Sequence, residues 1–308
     1  MEVTVLGDIN LDIITSPIKR YPKKDQQLDL SNFIVQLGGS SAIFASACSR
    51  LGIKTKFIGR LGKDPISEFL INEIEKLGIV NKIRRVKGER SGITISLTFE
   101  DMKRAMITFK GSNENLSIKD FALKEIEGEL IHIGGFNLLE SLRKDVYKIF
   151  KFAKKKGIKT SLDPNWDPKG WTKKRLKDLK KILKITDFLF PDYEEGKAIT
   201  KLRNERKIVK NLIELGVRVV ALKCGKKGCW VGEDGKIFYV KGFKVKSIQT
   251  TGAGDVFNAG FIKAYFSGRG IKECGKWGNA AGALSTTNIG LERFPTQRKI
   301  RKLIEGFK

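Results

Sequence analysis

Gln249-Thr250-Thr251-Gly252-Ala253-Gly254-Asp255-Val256-Phe257-Asn258-Ala259-Gly260 sets two glycines and an acid at the mouth of an apolar run that continues to about Phe266. Glycine lets backbone N–H groups come close to a charged ligand, and a helix N-terminus adds about half a positive charge directed at it. Asp255 falls in the first turn of the predicted helix, where its negative charge is favoured. A loop that cradles negative charge beside a carboxylate able to receive a proton suits phosphoryl transfer to an alcohol.

Around this stretch the chain alternates strands and helices. Residues 2–6 read as a buried strand, and Gly7-Asp8-Ile9-Asn10-Leu11-Asp12 follows at its carboxyl end, where ligands sit in open α/β sheets. Asn10 and Asp12 alternate with apolar residues, so both can share one face; the plainer reading is a turn satisfying its own backbone. Gly38-Gly39-Ser40-Ser41 opens a small-residue helix over 42–51, and Asp64-Pro65 caps another that runs to Leu77. Strands are predicted at 56–59, 130–133, 159–162, 188–190 and 218–222, and helices at 142–156, 171–184, 205–215, 275–287 and after Pro295. This is the pattern of right-handed βαβ units on a mainly parallel sheet with helices on both faces, a three-layer α/β/α fold in one domain over 1–308. Two segments break it. Residues 13–35 read as a polar, proline-punctuated β excursion, and 92–99 with 104–109 as a hairpin around the turn 100–103. Together, about 13–35 and 90–111 would make one small sheet over the site, with Arg104 and Lys110 as candidate ligand contacts. His132, inside an apolar strand, reads as a buried structural histidine.

Composition narrows the chemistry. Sixty basic against thirty-four acidic residues give a net charge of +26 over 308 residues. The lysines are spread over many predicted helices, which reads as a solvated surface rather than a nucleic-acid footprint. One histidine and four cysteines without metal-ligand spacing speak against zinc, and the chain opens directly as a strand with no apolar run long enough for a bilayer. A cytoplasmic protein with reduced thiols is expected. Lys223-Cys224-Gly225-Lys226-Lys227-Gly228 is a glycine-rich turn between strands, and nothing matches a Walker A loop.

Taken in order, Gly-Asp-Ile-Asn-Leu-Asp, Gly38-Gly39, Gly62-Lys63-Asp64-Pro65, Lys223-x-Gly225-x-x-Gly228, Thr251-Gly252-Ala253-Gly254-Asp255-x-Phe257-x-x-Gly260 and Asn279-Ala280-Ala281 resemble the ribokinase-like (PfkB) family of carbohydrate kinases over nearly the whole chain. The resemblance implies that Asp255 is the general base and that the amides of Gly252, Ala253 and Gly254 form the anion hole. It places Asn10, Asp12, Gly38 and Gly39 on the sugar, Lys223, Gly225 and Gly228 along the ATP phosphates, and Asn279 near the adenosine. Asp192-Tyr193-Glu194-Glu195 matches the family's Asn-x-x-Glu, implying a role for Asp192 at the nucleotide and for Glu195 in organising Mg²⁺. The two β excursions would be the family's lid, which in several relatives also makes a dimer contact.

Four departures stand out. Asp192 replaces asparagine, and Ile43 stands where many sugar-binding members have asparagine. Gln249 replaces an aspartate associated with a monovalent cation, which counts against potassium activation. Asp163-Pro164-Asn165-Trp166-Asp167 is similar to the Asp-x-Asn-x-Arg of ketodeoxygluconate kinases and fructokinases, placing Asn165 at the substrate; Asp167 replaces the arginine, which argues against an acceptor bearing a carboxylate. The expected activity is ATP-dependent phosphorylation of a hydroxymethyl group on a small neutral sugar such as fructose or ribose. The alternatives are a nucleoside kinase of the same family and, from another class, a basic nucleotide- or nucleic-acid-binding protein without turnover.

Overall fold

The computed structural model describes residues 1–101 and 103–306, so Met102 of the expected turn 100–103 and the last two residues lie outside the described residues. A nine-stranded sheet runs in the order β13-β12-β11-β10-β9-β8-β1-β4-β5. Its strands are β1 (Glu2–Leu6), β4 (Lys54–Gly62), β5 (Val80–Val86), β8 (Leu130–Ile133), β9 (Lys159–Leu162), β10 (Phe188–Leu189), β11 (Val219–Lys223), β12 (Gly228–Glu233) and β13 (Lys236–Lys241). Pairing is parallel from β11 to β5, and β12 and β13 add an antiparallel edge. The chain moves outward from β1 to β4 and β5, then crosses back to β8 on the other side of β1. That is a topological switch point, where open α/β sheets leave a crevice at the carboxyl ends of their strands.

Helices cover both faces because each carries one apolar stripe. On one side α1 (Ser40–Arg50), α2 (Pro65–Glu75), α8 (Ala253–Phe266), α9 (Ile271–Ser285) and α10 (Gln297–Glu305) bury Phe44, Leu70, Phe261, Trp277 and Ile300 against Val3, Val5 and Phe57 of the sheet. On the other, α3 (Glu140–Arg143), α4 (Val146–Lys155), α5 (Lys173–Leu183), α6 (Tyr193–Thr200) and α7 (Glu205–Glu214) bury Ile149, Leu179, Ile199 and Leu212 against Leu6, Ile131 and Leu162. The helix expected over 142–156 is two pieces, broken at Lys144-Asp145. Asp145 turns its carboxylate to the Ile118 amide, an alternative partner of the kind acids offer near helix starts. Helices α8 and α9 pack closely through small residues: a Cβ on Gly260 would stand 2.6 Å from that of Ala281, and one on Gly278 2.7 Å from the Phe257 ring.

The two excursions meet in a second sheet, β3-β2-β6-β7, built from β2 (Asn10–Thr15), β3 (Phe33–Gly38), β6 (Gly92–Thr98) and β7 (Arg104–Phe109). Its central β2–β6 pair is parallel, and the flanking pairs are antiparallel. Two strands of the main sheet, β5 and β13, carry no reading in the sequence; both are edge strands whose lysines and arginines face water, which blurs alternation. His132 is fully buried, stacked on Phe44 at 3.7 Å between ring centroids. Its Nδ1 lies 2.8 Å from the Ser161 hydroxyl, and its Nε2 has no partner among the described residues. Burial pushes its pKa down to about 3, so the ring is neutral and structural. No described helix is long and apolar enough to cross a membrane.

Candidate active site

The carboxyl ends of the central strands bring together acids that lie far apart in sequence. Gly252 adopts the left-handed φ of 78° that caps α8, and a side chain there would run into Ile43 at 2.7 Å. The Ala253 amide makes a long bond to the Thr250 carbonyl at 3.3 Å, and Asp255 follows in the first turn of α8, 8% exposed. The Ser40 hydroxyl donates to Asp255 Oδ1 at 2.6 Å. Burial drives the Asp255 pKa well above the usual carboxylate range; the Asp163 charge adds to the rise, and Lys223 and the Ser40 hydrogen bond oppose it.

Lys223, at the end of β11, faces this group. Its ammonium lies 2.5 Å from Asp163 Oδ2, which also accepts from Asn258 Nδ2 at 2.7 Å. A Cβ on Gly254 would be 3.3 Å from that ammonium, so the lysine charge abuts the amides of the loop. Burial weakens a lysine's hold on its proton, yet the carboxylates of Asp163, Glu195 and Asp255 outweigh burial and raise the Lys223 pKa. Asp192 caps α6 reciprocally with Glu195: its Oδ1 accepts from the Glu195 amide at 2.8 Å, and its own amide donates to Glu195 Oε2 at 2.8 Å. Burial raises the pKa of both acids. Asp192, Tyr193, Lys223, Cys224, Gly225 and Lys227 line an open cavity of about 340 Å³. Gly228 makes room for the Val240 carbonyl, 2.1 Å from where a Cβ would stand, and Asn279 donates to the carbonyls of Val240 and Lys241 at 3.0 and 3.2 Å.

The other end of the crevice is built from the first residues of the chain. Gly38 is required because its missing Cβ would fall 2.0 Å from Asp12 Oδ1. Gly39 adopts a φ of 91° and lets the chain pass 2.7 Å from the Asp8 carbonyl, measured from its absent Cβ. Asn10 Oδ1 accepts from Asn113 Nδ2 at 2.7 Å. Asp12 is buried, and burial lifts its pKa to about 7 despite the opposing charge of Arg293. Arg293 is itself 1% exposed and donates to the carbonyls of Leu37 at 2.7 Å and Thr251 at 3.5 Å. Burial lowers its pKa to about 10, which still leaves it charged.

Some residues singled out in the sequence do other things than face a ligand. Arg104, on β7, donates to the Thr251 hydroxyl at the head of the glycine loop. Asn165, in a left-handed conformation with φ of 51°, accepts from the Gly135 amide at 2.7 Å and from the Ser40 hydroxyl at 3.2 Å. Lys110 offers its carbonyl to Asn113. Residues without a role in the sequence reading prove central. Asp8, in the turn between β1 and β2, accepts from the amides of Ser40 and Ser41, both at 2.9 Å, capping α1. Asn113 ties the Ile9 amide to β2, and Asp163, Ser40 and Arg293 complete the group. Asp8 and Asp163 each stand directly after a parallel strand, the one signal that could have found them; Arg293 lies in a short surface-like turn with none.

A family model described as pfkB family carbohydrate kinase matches residues 1–297. The chain belongs to the pfkB carbohydrate kinase family. This kinase is 32% identical over 247 residues to an uncharacterized sugar kinase of Archaeoglobus fulgidus, covering 79% of the chain and 95% of the relative. It is 29% identical over 311 residues to a ribokinase of Haemophilus influenzae, covering 98% of each. Among solved structures, a putative ribokinase II of E. coli in complex with ATP and Mg²⁺ superposes with a TM-score of 0.87 at 23% identity, covering 99% of each chain, a likeness of fold. As a family member the kinase is a phosphotransferase.

Asp12 gives the site a signature in stability. A carboxyl whose folded pKa lies above its unfolded value holds its proton more tightly when folded. Its stabilising contribution is therefore full below its ordinary 3.8 and is lost as pH rises toward about 7. Asparagine has no charge to bury. The melting temperature of ligand-free Asp12→Asn, relative to the unaltered kinase, is expected to rise by about 2–6 °C between about pH 5 and pH 8. A constant difference in thermal melts across that range would count against a strained Asp12 carboxylate.

Proposed function

We propose that this kinase transfers the γ-phosphoryl group of ATP to a hydroxymethyl group of a small neutral sugar of the fructose or ribose type. The observation that carries the reading is Asp255 one turn behind the Gly252 turn, hydrogen-bonded by Ser40, with Lys223 against Gly254. The acceptor enters beside Asn10, Asp12 and the Gly38-Gly39 turn, and Asp255 takes its proton as the oxygen attacks phosphorus. The bond from phosphorus to the β-phosphate oxygen breaks, and the charge gathered on the transferred group and on ADP is met by the amides of Gly252, Ala253 and Gly254. Lys223, Gly225 and Gly228 line the phosphate path, Asp192 borders it, and Asn279 stands toward the adenosine. A neutral acceptor is supported by Asp167, whose carboxylate accepts from Arg175 Nε at 2.6 Å; Arg175 is further engaged by Glu140 and is not available to a substrate carboxylate.

Magnesium fits the donors present. Glu195 is a buried acid capped by the more exposed Asp192, and burial first, then the Asp163 charge among others, raises the pKa of both. The ion keeps several waters and binds through few carboxylates plus phosphates. Glu195 would hold its waters, and the ion would supply charge neutralisation on the phosphates. A monovalent cation does not fit. Gln249, 5% exposed, turns its Nε2 to the carbonyls of Ser285 and Asn288 at 3.5 and 3.4 Å, and its Oε1 accepts from the Thr251 amide at 3.2 Å. The amide supplies donors to the oxygens such an ion would need.

The small sheet acts as a lid, and its outer face leaves Phe33, Val35, Ile107 and Phe109 exposed. A patch of that kind is an interaction surface, and we assign it to a homodimer formed lid to lid.

Three outcomes follow. In an ADP-release assay across sugars, phosphosugars and nucleosides, neutral sugars are the acceptors, and Asp255→Asn lowers kcat by about 10²–10⁴-fold with ATP affinity nearly intact; near-normal turnover in that variant refutes the mechanism. Exchanging potassium for a tetraalkylammonium salt leaves kcat unchanged, and strong potassium activation overturns the reading of Gln249. Sedimentation shows a dimer that Ile107→Glu converts to monomer; a monomeric unaltered protein removes the lid-to-lid contact.

A further inference from the structure

Ser40 is the first residue of α1 and is 8% exposed. Its backbone is pinned by the Asp8 carboxylate at 2.9 Å, so its hydroxyl is delivered to one place. Two acceptors meet it there. Asp255 Oδ1 lies at 2.6 Å and Asn165 Oδ1 at 3.2 Å. The second acceptor is fixed in turn: Asn165 Oδ1 takes the Gly135 amide at 2.7 Å, and its carbonyl takes Asn137 Nδ2 at 3.1 Å. A hydroxyl carries one proton, so it serves one of these oxygens at a time.

We propose that the Ser40 hydroxyl is a two-position hydrogen-bond switch that holds the base Asp255 in its reactive rotamer and releases it after proton transfer. The proposal rests on Asp255 being the base. With Asp255 ionised, Ser40 donates to Oδ1, which fixes the carboxylate and leaves Oδ2 to the acceptor. The acceptor O–H bond then breaks, its proton bonds to Oδ2, and the electron pair stays on the oxygen that forms the new bond to phosphorus. The neutral carboxyl is a weaker acceptor, and the Ser40 O–H turns to Asn165 Oδ1. No proton leaves Ser40, so it is a positioning residue.

The charged groups that face Asp255 are Asp163, Asp8, Lys223 and Arg293. All are present in a Ser40 variant, so a change in its pH profile reports the hydroxyl. A hydrogen bond to a carboxylate favours the charged form. Removing it raises the pKa of Asp255, and the acidic limb of kcat against pH moves to higher pH.

The experiment is the pH profile of kcat with ATP and the best acceptor for the unaltered kinase, Ser40→Ala and Ser40→Cys. At neutral pH Ser40→Ala loses about ten- to hundredfold in kcat with the KM for ATP little changed. Its acidic limb shifts upward by about one pH unit or more, so the loss shrinks as pH rises. Cysteine, near serine in size and a weak donor, gives an intermediate limb and settles the matter if the alanine variant fails to fold. Profiles lowered uniformly with the limb in place, or unaltered profiles, overturn the switch. An unaltered kinase that turns over no acceptor defeats the parent reading instead, so the two failures are distinct.

Discussion

Everything at the crevice depends on how Lys223 neutralises acids that the fold has removed from water. Asp163, Asp255 and Glu195 come from three different strand or helix ends, and a single ammonium lies among their fields. Unpaired buried charges are costly, so this lysine is a condition of folding the crevice. It does not offset them fully: burial, with the Asp163 charge, still holds the Asp255 and Glu195 pKa values well above the usual carboxylate range.

Balance at the Asp12 end is struck differently. There the compensating cation is Arg293, fully inside the protein, held by two backbone carbonyls and by contact with the Phe294 ring at 4.9 Å. Its charge falls on Asp12 and Asp255 without a direct ion pair to either. The two ends of the crevice thus have separate cations, and Asp255 lies in the field of both.

Much of this was legible in the sequence. The glycine loop, the acid behind it and the strand–helix alternation located the Gly252 turn, the start of α8 and the sheet, because glycine at a positive φ and periodic apolar residues are local properties. The excursions were legible as strands, though not their parallel β2–β6 join, which depends on a pairing across some eighty residues. What escaped was long-range compensation. Nothing near Asp8 announces that it caps α1, nothing near Ser40 announces Asp255, and Arg293 reads as one more basic residue in a chain full of them. Asn165 and Arg104 were singled out as ligand contacts, but their partners Gly135 and Thr251 become visible only when the chain is folded.

One feature of the topology reaches beyond chemistry. Strand β2, which carries Asn10 and Asp12, starts just after β1 of the main sheet but belongs to the small one. The residues proposed to meet the acceptor are therefore mounted on a second, smaller sheet, while those proposed to handle the phosphoryl group are mounted on α8, wedged against α9 by contacts that tolerate no added methyl group. Change is cheap in the first place and expensive in the second. A lineage built this way can trade one acceptor for another through drift in the outer sheet, and inherits its phosphoryl chemistry unaltered.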